Sequence, residues 1–116
     1  MKLRLMLVSL AAVVGLTFAS VAMSQSHAKM ATVTVTAKEF KFVLSTKTVK
    51  AGTVMFKVKN AGKLPHDFKI GGKKTAMIGA GKTVTLTVKL GKGSKPYLCT
   101  VPGHSAAGMK GSLKVT

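Results

Sequence analysis

Lys82-Thr-Val-Thr-Leu-Thr-Val-Lys-Leu90 alternates Thr or Lys with Val or Leu. A period of two gives an extended strand one wet and one buried face, and it suits no amphipathic helix. The same alternation recurs in Ala31-Thr-Val-Thr-Val-Thr-Ala37 and in Thr53-Val-Met-Phe-Lys-Val-Lys59. Between these lie two less regular stretches, Phe40-Lys-Phe-Val-Leu44 and Thr46-Lys-Thr-Val-Lys50, with Ala51-Gly52 as a turn. Asn60-Ala-Gly-Lys63 ends the next strand and delivers the chain to Pro65-His66. A short strand is expected over Asp67 to Ile70, running into Gly71-Gly72, and an edge segment over Thr75 to Ile78. Lys95-Pro-Tyr-Leu-Cys99 follows Gly91-Lys-Gly93, and Lys110 to Thr116 closes the chain. Seven or eight short strands separated by Gly-containing turns predict an all-β fold, a small Greek-key β-sandwich.

The first residues read differently. Lys2 and Arg4 precede an uncharged apolar run from Leu5 to Met23, and Ser26-His27-Ala28 follows with small residues where signal peptidase needs them. Residues 1–28 are therefore expected to be a signal peptide. Retention as a membrane anchor is the alternative, because roughly 17 to 25 apolar residues span a bilayer. Residues 29–116 form one domain without internal repeat or low-complexity tract, and the expected location is periplasmic or extracellular. Cys99 is the sole cysteine, so no internal disulfide can compensate for a small core. A lone thiol in an oxidising compartment is a liability unless it is inertly buried or engaged by a metal.

The full chain carries 19 basic residues against 2 acidic ones, a formal net charge of +17. Beyond residue 28 every strong cation is lysine, and the only carboxylate side chains are Glu39 and Asp67. Such a field draws acidic partners or an anionic membrane surface in a salt-dependent way. Nucleic acid is disfavoured, because no arginine follows the leader and only five Phe and one Tyr are present for stacking. Few carboxylates also means little stability lost to protonation, which suits acidic surroundings.

The chemistry concentrates in Cys99-Thr-Val-Pro-Gly-His104-Ser-Ala-Ala-Gly-Met109. Thiolate, imidazole and thioether on one loop are donor types of a blue-copper site, which takes two His, one Cys and a weak axial Met. The second imidazole is expected from His66, in Leu64-Pro65-His66-Asp67-Phe68, the only other histidine beyond the leader. The soft sulfurs suit Cu(I) and the imidazoles Cu(II). Taken singly, each residue has a plainer reading: Cys99 as a small buried hydrophobe, Met109 as core filler, the histidines as hydrogen-bonded residues. Zinc also accepts these donors.

The loop resembles the ligand loop of the cupredoxins, the type 1 blue-copper proteins, with one more residue between His and Met than azurin-like members have. Val58-Lys-Asn-Ala-Gly-Lys-Leu-Pro-His-Asp-Phe68 is similar to the family's segment around its first histidine. The resemblance covers most of 31–116. It implies one copper, His66, Cys99 and His104 as equatorial ligands, Met109 as axial ligand, and His104 presented at an apolar surface flanked by Pro102, Ala106 and Ala107. Asp67 stands where the family often has Asn or Ser, and it is expected either to accept a bond from Thr100 or to bond its own turn. The disulfide of azurin-like members is absent, which implies the smaller, plastocyanin-sized form of the fold. The implied function is electron transfer by a monomer between an acidic donor and an acidic acceptor protein, with no reaction on a substrate. Lys63 and Lys110, beside the ligand segments, are the expected docking lysines.

Three other readings use the same residues. A copper-trafficking protein would bind the same ion, although Met30, Met55, Met77 and Met109 do not cluster in sequence. An enzyme with a Cys99–His104 nucleophile pair lacks an orienting acid near His104 and leaves Met109 unexplained. A polybasic surface-binding module would make copper incidental.

Overall fold

The computed structural model describes residues 30–116, together with positions 12, 14, 15 and 17. The expected leader thus lies almost wholly outside the described residues. Among the described residues there are nine strands: β1 (Ala31–Lys38), β2 (Lys41–Leu44), β3 (Thr48–Val49), β4 (Gly52–Asn60), β5 (Lys69–Ile70), β6 (Lys73–Lys74), β7 (Thr83–Leu90), β8 (Gly93–Leu98) and β9 (Lys110–Val115). They form a four-stranded sheet, β2-β1-β4-β7, and a five-stranded sheet, β3-β9-β8-β5-β6. The fold is an all-β sandwich.

Alternation decides which face of each strand is inside. Val33, Val35 and Ala37 of β1, Val54, Phe56 and Val58 of β4, and Val88 and Leu90 of β7 are buried from one sheet. From the other come Val49, Phe68, Ile70, Tyr97, Leu113 and Val115. The Thr and Lys positions between them face water, so each sheet has one wet side. Phe68 sits at the middle of the core, tilted on Phe56 at 5.3 Å and on Tyr97 at 5.6 Å between ring centroids, with Phe42 edge-on at 5.2 Å.

β1 runs parallel to β4 and β3 parallel to β9, while β4–β7 and β8–β9 are antiparallel. The chain therefore crosses between sheets repeatedly, which is how a Greek-key order brings distant segments to one end. One short strand departs from the sequence reading. The edge segment expected at 75–78 is instead Lys73–Lys74, paired with β5. Thr75 is drawn inward, its N–H donating to the Phe68 carbonyl and its hydroxyl oxygen accepting from the Phe68 N–H. Ile78 makes only a bridge, to His66.

Candidate metal centre

Cys99 lies one residue beyond β8 and Met109 one residue before β9, so the hairpin partners deliver both sulfurs to the same end of the sandwich. The Cys99 N–H donates to the Met109 carbonyl at 3.1 Å, closing the loop of nine residues between them. Inside it the turn is wound tightly: the His104 N–H donates to Val101 and the Met109 N–H to His104, each at 3.1 Å. Gly103 and Gly108 adopt φ of 84° and 116°, a region that penalises a Cβ, so glycine sets the path at both corners. The imidazole of His104 is thereby turned inward toward the thiol.

His66 reaches the site from between β4 and β5, held by reciprocal backbone bonds with Ile78 at 3.1 and 2.7 Å. Fully buried Asn60 fixes the turn that precedes it. Its amide donates to the carbonyls of Leu64 and Ile78, both at 2.8 Å, and its oxygen accepts the Gly62 N–H at 2.9 Å. In the sequence Asn60 reads only as the end of a strand, yet it stands on the buried side of that alternating strand, which is the signal that marks it.

The ring nitrogens and the sulfur converge. Nδ1 of His66 lies 3.1 Å from Nδ1 of His104, and the Cys99 Sγ lies 3.7 Å from Nδ1 of His104. All three donor atoms fall within 4.8 Å of one another, and all three residues are buried. Nitrogen and sulfur donors sit roughly 2.0–2.3 Å from a bound first-row ion, so this spacing lets one ion touch all three. Met109 is fully buried and packs with Cys99 and Ala37. The donor set, two imidazoles and a thiolate beside a thioether, fits one type 1 copper.

Both carboxylates of the domain lie against this end of the sandwich. Asp67, next to His66, accepts the Thr100 N–H through Oδ1 at 2.6 Å and the Thr100 hydroxyl through Oδ2. Thus Asp67 braces the residue after Cys99, the first of the two roles the sequence left open. The backbone N–H groups of Asp67 and Val101 act on the Cys99 sulfur as donors that favour the thiolate. Burial nonetheless pushes the thiol pKa up, outweighing those donors, so a cation is what would favour the thiolate here.

Glu39 was not singled out from the sequence. Its Oε1 accepts the N–H groups of Lys63 and Leu64 at 2.6 and 2.7 Å, with His66 Nε2 at 3.4 Å. Those backbone donors, Leu64 foremost, lower its pKa to about 2. The adjacent Phe40 packs edge-on against the His104 ring, centroids 5.1 Å apart. On the outside, Phe40, Leu64, Pro102, Ala106 and Ala107 are exposed, as are Lys63 and Lys110.

Comparison with known proteins agrees with this geometry. Residues 9–113 match the model of the cupredoxin-like domain, a span that begins inside the expected leader. Over 43 residues, 36% of this chain, it is 49% identical to auracyanin-B of Chloroflexus aurantiacus, a match spanning only 18% of that relative. The dithionite-reduced auracyanin of Roseiflexus castenholzii shares the fold at a TM-score of 0.63 and 23% identity, covering 73% of this chain and 96% of that one. A structure of auracyanin B gives 0.62 at 26% identity, covering 73% and 88%. A blue copper oxidase from Nitrosomonas europaea gives 0.60 at 18%, covering 75% of this chain and 39% of the oxidase. With its sandwich, its ligand hairpin and a family match across most of its length, this chain belongs to the cupredoxin-like family.

Proposed function

We propose that this protein is an exported blue-copper electron carrier that takes one electron from one redox protein and passes it to another. His66, Cys99 and His104 would hold the copper, with the Met109 thioether beside them. The observation that supports this most is the convergence of the three donor atoms within 4.8 Å in a buried pocket. Copper would supply the Cu(I)/Cu(II) couple there. Everything else is the work of the chain. The two sheets hold the donors so that little moves between oxidation states, and burial of Cys99 and Met109 keeps water from the sulfurs. His104 is buried while Pro102, Ala106 and Ala107 of the same loop are exposed and apolar, which suits an exit route to a docked partner. Exposed Lys63 and Lys110, next to the ligand segments in sequence, favour an acidic donor and acceptor. The leader at 1–28 directs export, and the cationic surface also favours an anionic membrane.

A copper-trafficking role is the second reading. Against it stands the enclosure of the donors: Cys99 and Met109 are buried together, while Met30 and Met77 are exposed and do not join that buried cluster. Voltammetry of the copper-loaded protein, with a chelator present in both oxidation states, separates the two. A carrier shows one reversible one-electron wave and keeps its ion through repeated cycles. Loss of copper to the chelator on reduction supports trafficking instead.

A further inference from the structure

We propose that Glu39 is the positioning residue of His66, holding the ring so that Nε2 carries the proton and Nδ1 offers its lone pair to the metal. The inference rests on the ligand assignment proposed above. Nε2 of His66 is the one buried side-chain nitrogen or oxygen among the described residues with no hydrogen-bond partner. A buried N–H left unpaired costs free energy, so such an atom points to a missing or loosened partner. Glu39 Oε1 faces it at 3.4 Å. A carboxylate can only accept there, which assigns the proton to Nε2 and leaves Nδ1 bare.

The carboxylate cannot easily swing away. Two backbone N–H groups, from Lys63 and Leu64, clamp Oε1 at 2.6 and 2.7 Å, and both belong to the loop that leads into His66. Glu39 therefore holds the loop and faces the ring with a single oxygen. Gly62 makes room for it: a Cβ at that position would stand 2.5 Å from both carboxylate oxygens. The neighbouring Phe40 meets the ring of His104 edge-on. One two-residue turn between β1 and β2 thus touches both imidazoles, the outer one through an aromatic edge and the inner one through a charge.

Partners of this kind on a ligand imidazole fix its orientation and raise its basicity, and their loss commonly weakens metal binding by about 10- to 100-fold. A fixed negative charge behind His66 favours Cu(II) over Cu(I). Glu39→Gln removes the charge while its amide oxygen still accepts the loop N–H groups. Gly62→Ala keeps the charge but pushes the carboxylate out of place.

The test combines two readouts on variants whose fold is checked by circular dichroism. In the apo-protein, 15N NMR of the histidine rings is expected to show His66 protonated at Nε2 in the wild type, with the Nε2 signal shifted in both variants. In the copper-loaded protein, both variants are expected to move the reduction potential upward; a tenfold loss of preference for Cu(II) reads as about 59 mV. An apo wild type protonated at Nδ1 of His66 overturns the proposal, as does an unchanged potential in both variants. If wild type binds no copper at all, the ligand assignment has failed, and the apo NMR still reports separately on Glu39.

Discussion

Asp67 takes both the backbone N–H and the hydroxyl of Thr100, tying the residue after His66 to the residue after Cys99 across 33 positions of sequence. The two ligand segments are therefore cross-braced by one side chain, and its charge lies beside the thiol. Asp67→Asn is expected to raise the reduction potential of the copper protein, because a nearby carboxylate favours Cu(II). An unchanged or lowered potential in redox titration contradicts this.

Glu39 gives a pH dependence of known sign. Its folded pKa, about 2, lies below its ordinary value of 4.5. The folded state therefore gains from the ionised carboxylate above pH 4.5, and that gain disappears as pH falls from 4.5 through about 2. With Asp67 as the only other acidic side chain beyond residue 28, the apo-protein is expected to stay folded in mild acid and to weaken only toward pH 2. Glu39→Gln should flatten that part of the curve in urea unfolding followed from pH 5 to pH 2. Unfolding of the wild type already at pH 5 goes against both this account and acidic surroundings.

Phe56 is fully buried against Phe68, in a core cluster separate from the one that holds Cys99 and Met109. Phe56→Ala is expected to cost about 3–5 kcal/mol, by lost transfer energy and the cavity left behind. Spectral parameters of any folded, copper-loaded variant should stay those of the wild type. A stability loss under 1 kcal/mol, or an altered visible spectrum, would falsify that separation of core from site.

Asn60→Ala removes the amide that joins the Leu64 and Ile78 carbonyls and takes away the acceptor of the Gly62 N–H, leaving part-buried polar groups of the turn without their partner. The expected loss is about 1–3 kcal/mol. Because this turn carries His66, faster copper release to a chelator should accompany it. Wild-type release kinetics in a destabilised variant would show that the turn does not hold the ligand.

Much of this molecule is readable from its residues, for reasons that differ by segment. The clean alternation of 31–37, 53–59 and 82–90 leaves a strand only one choice of buried face, so both the sheets and their inward sides follow. The hairpin ligands are close in sequence, and His66 follows by being the only remaining histidine beyond the leader. The contacts of Glu39 do not follow, because alternation says nothing about where a turn between two strands points. Its backbone partners lie 24 and 25 residues away. The same holds for β6: Lys73 and Lys74 are both exposed, so no periodicity marks them, and pairing with β5 alone makes them a strand.

The central claim is that His66, Cys99 and His104 close on one ion. Adding Cu(II) to the purified protein and recording visible absorbance tests it most directly. A strong blue thiolate-to-copper charge-transfer band, absent in Cys99→Ser, is the predicted result; a pale or colourless adduct of the wild type would contradict it.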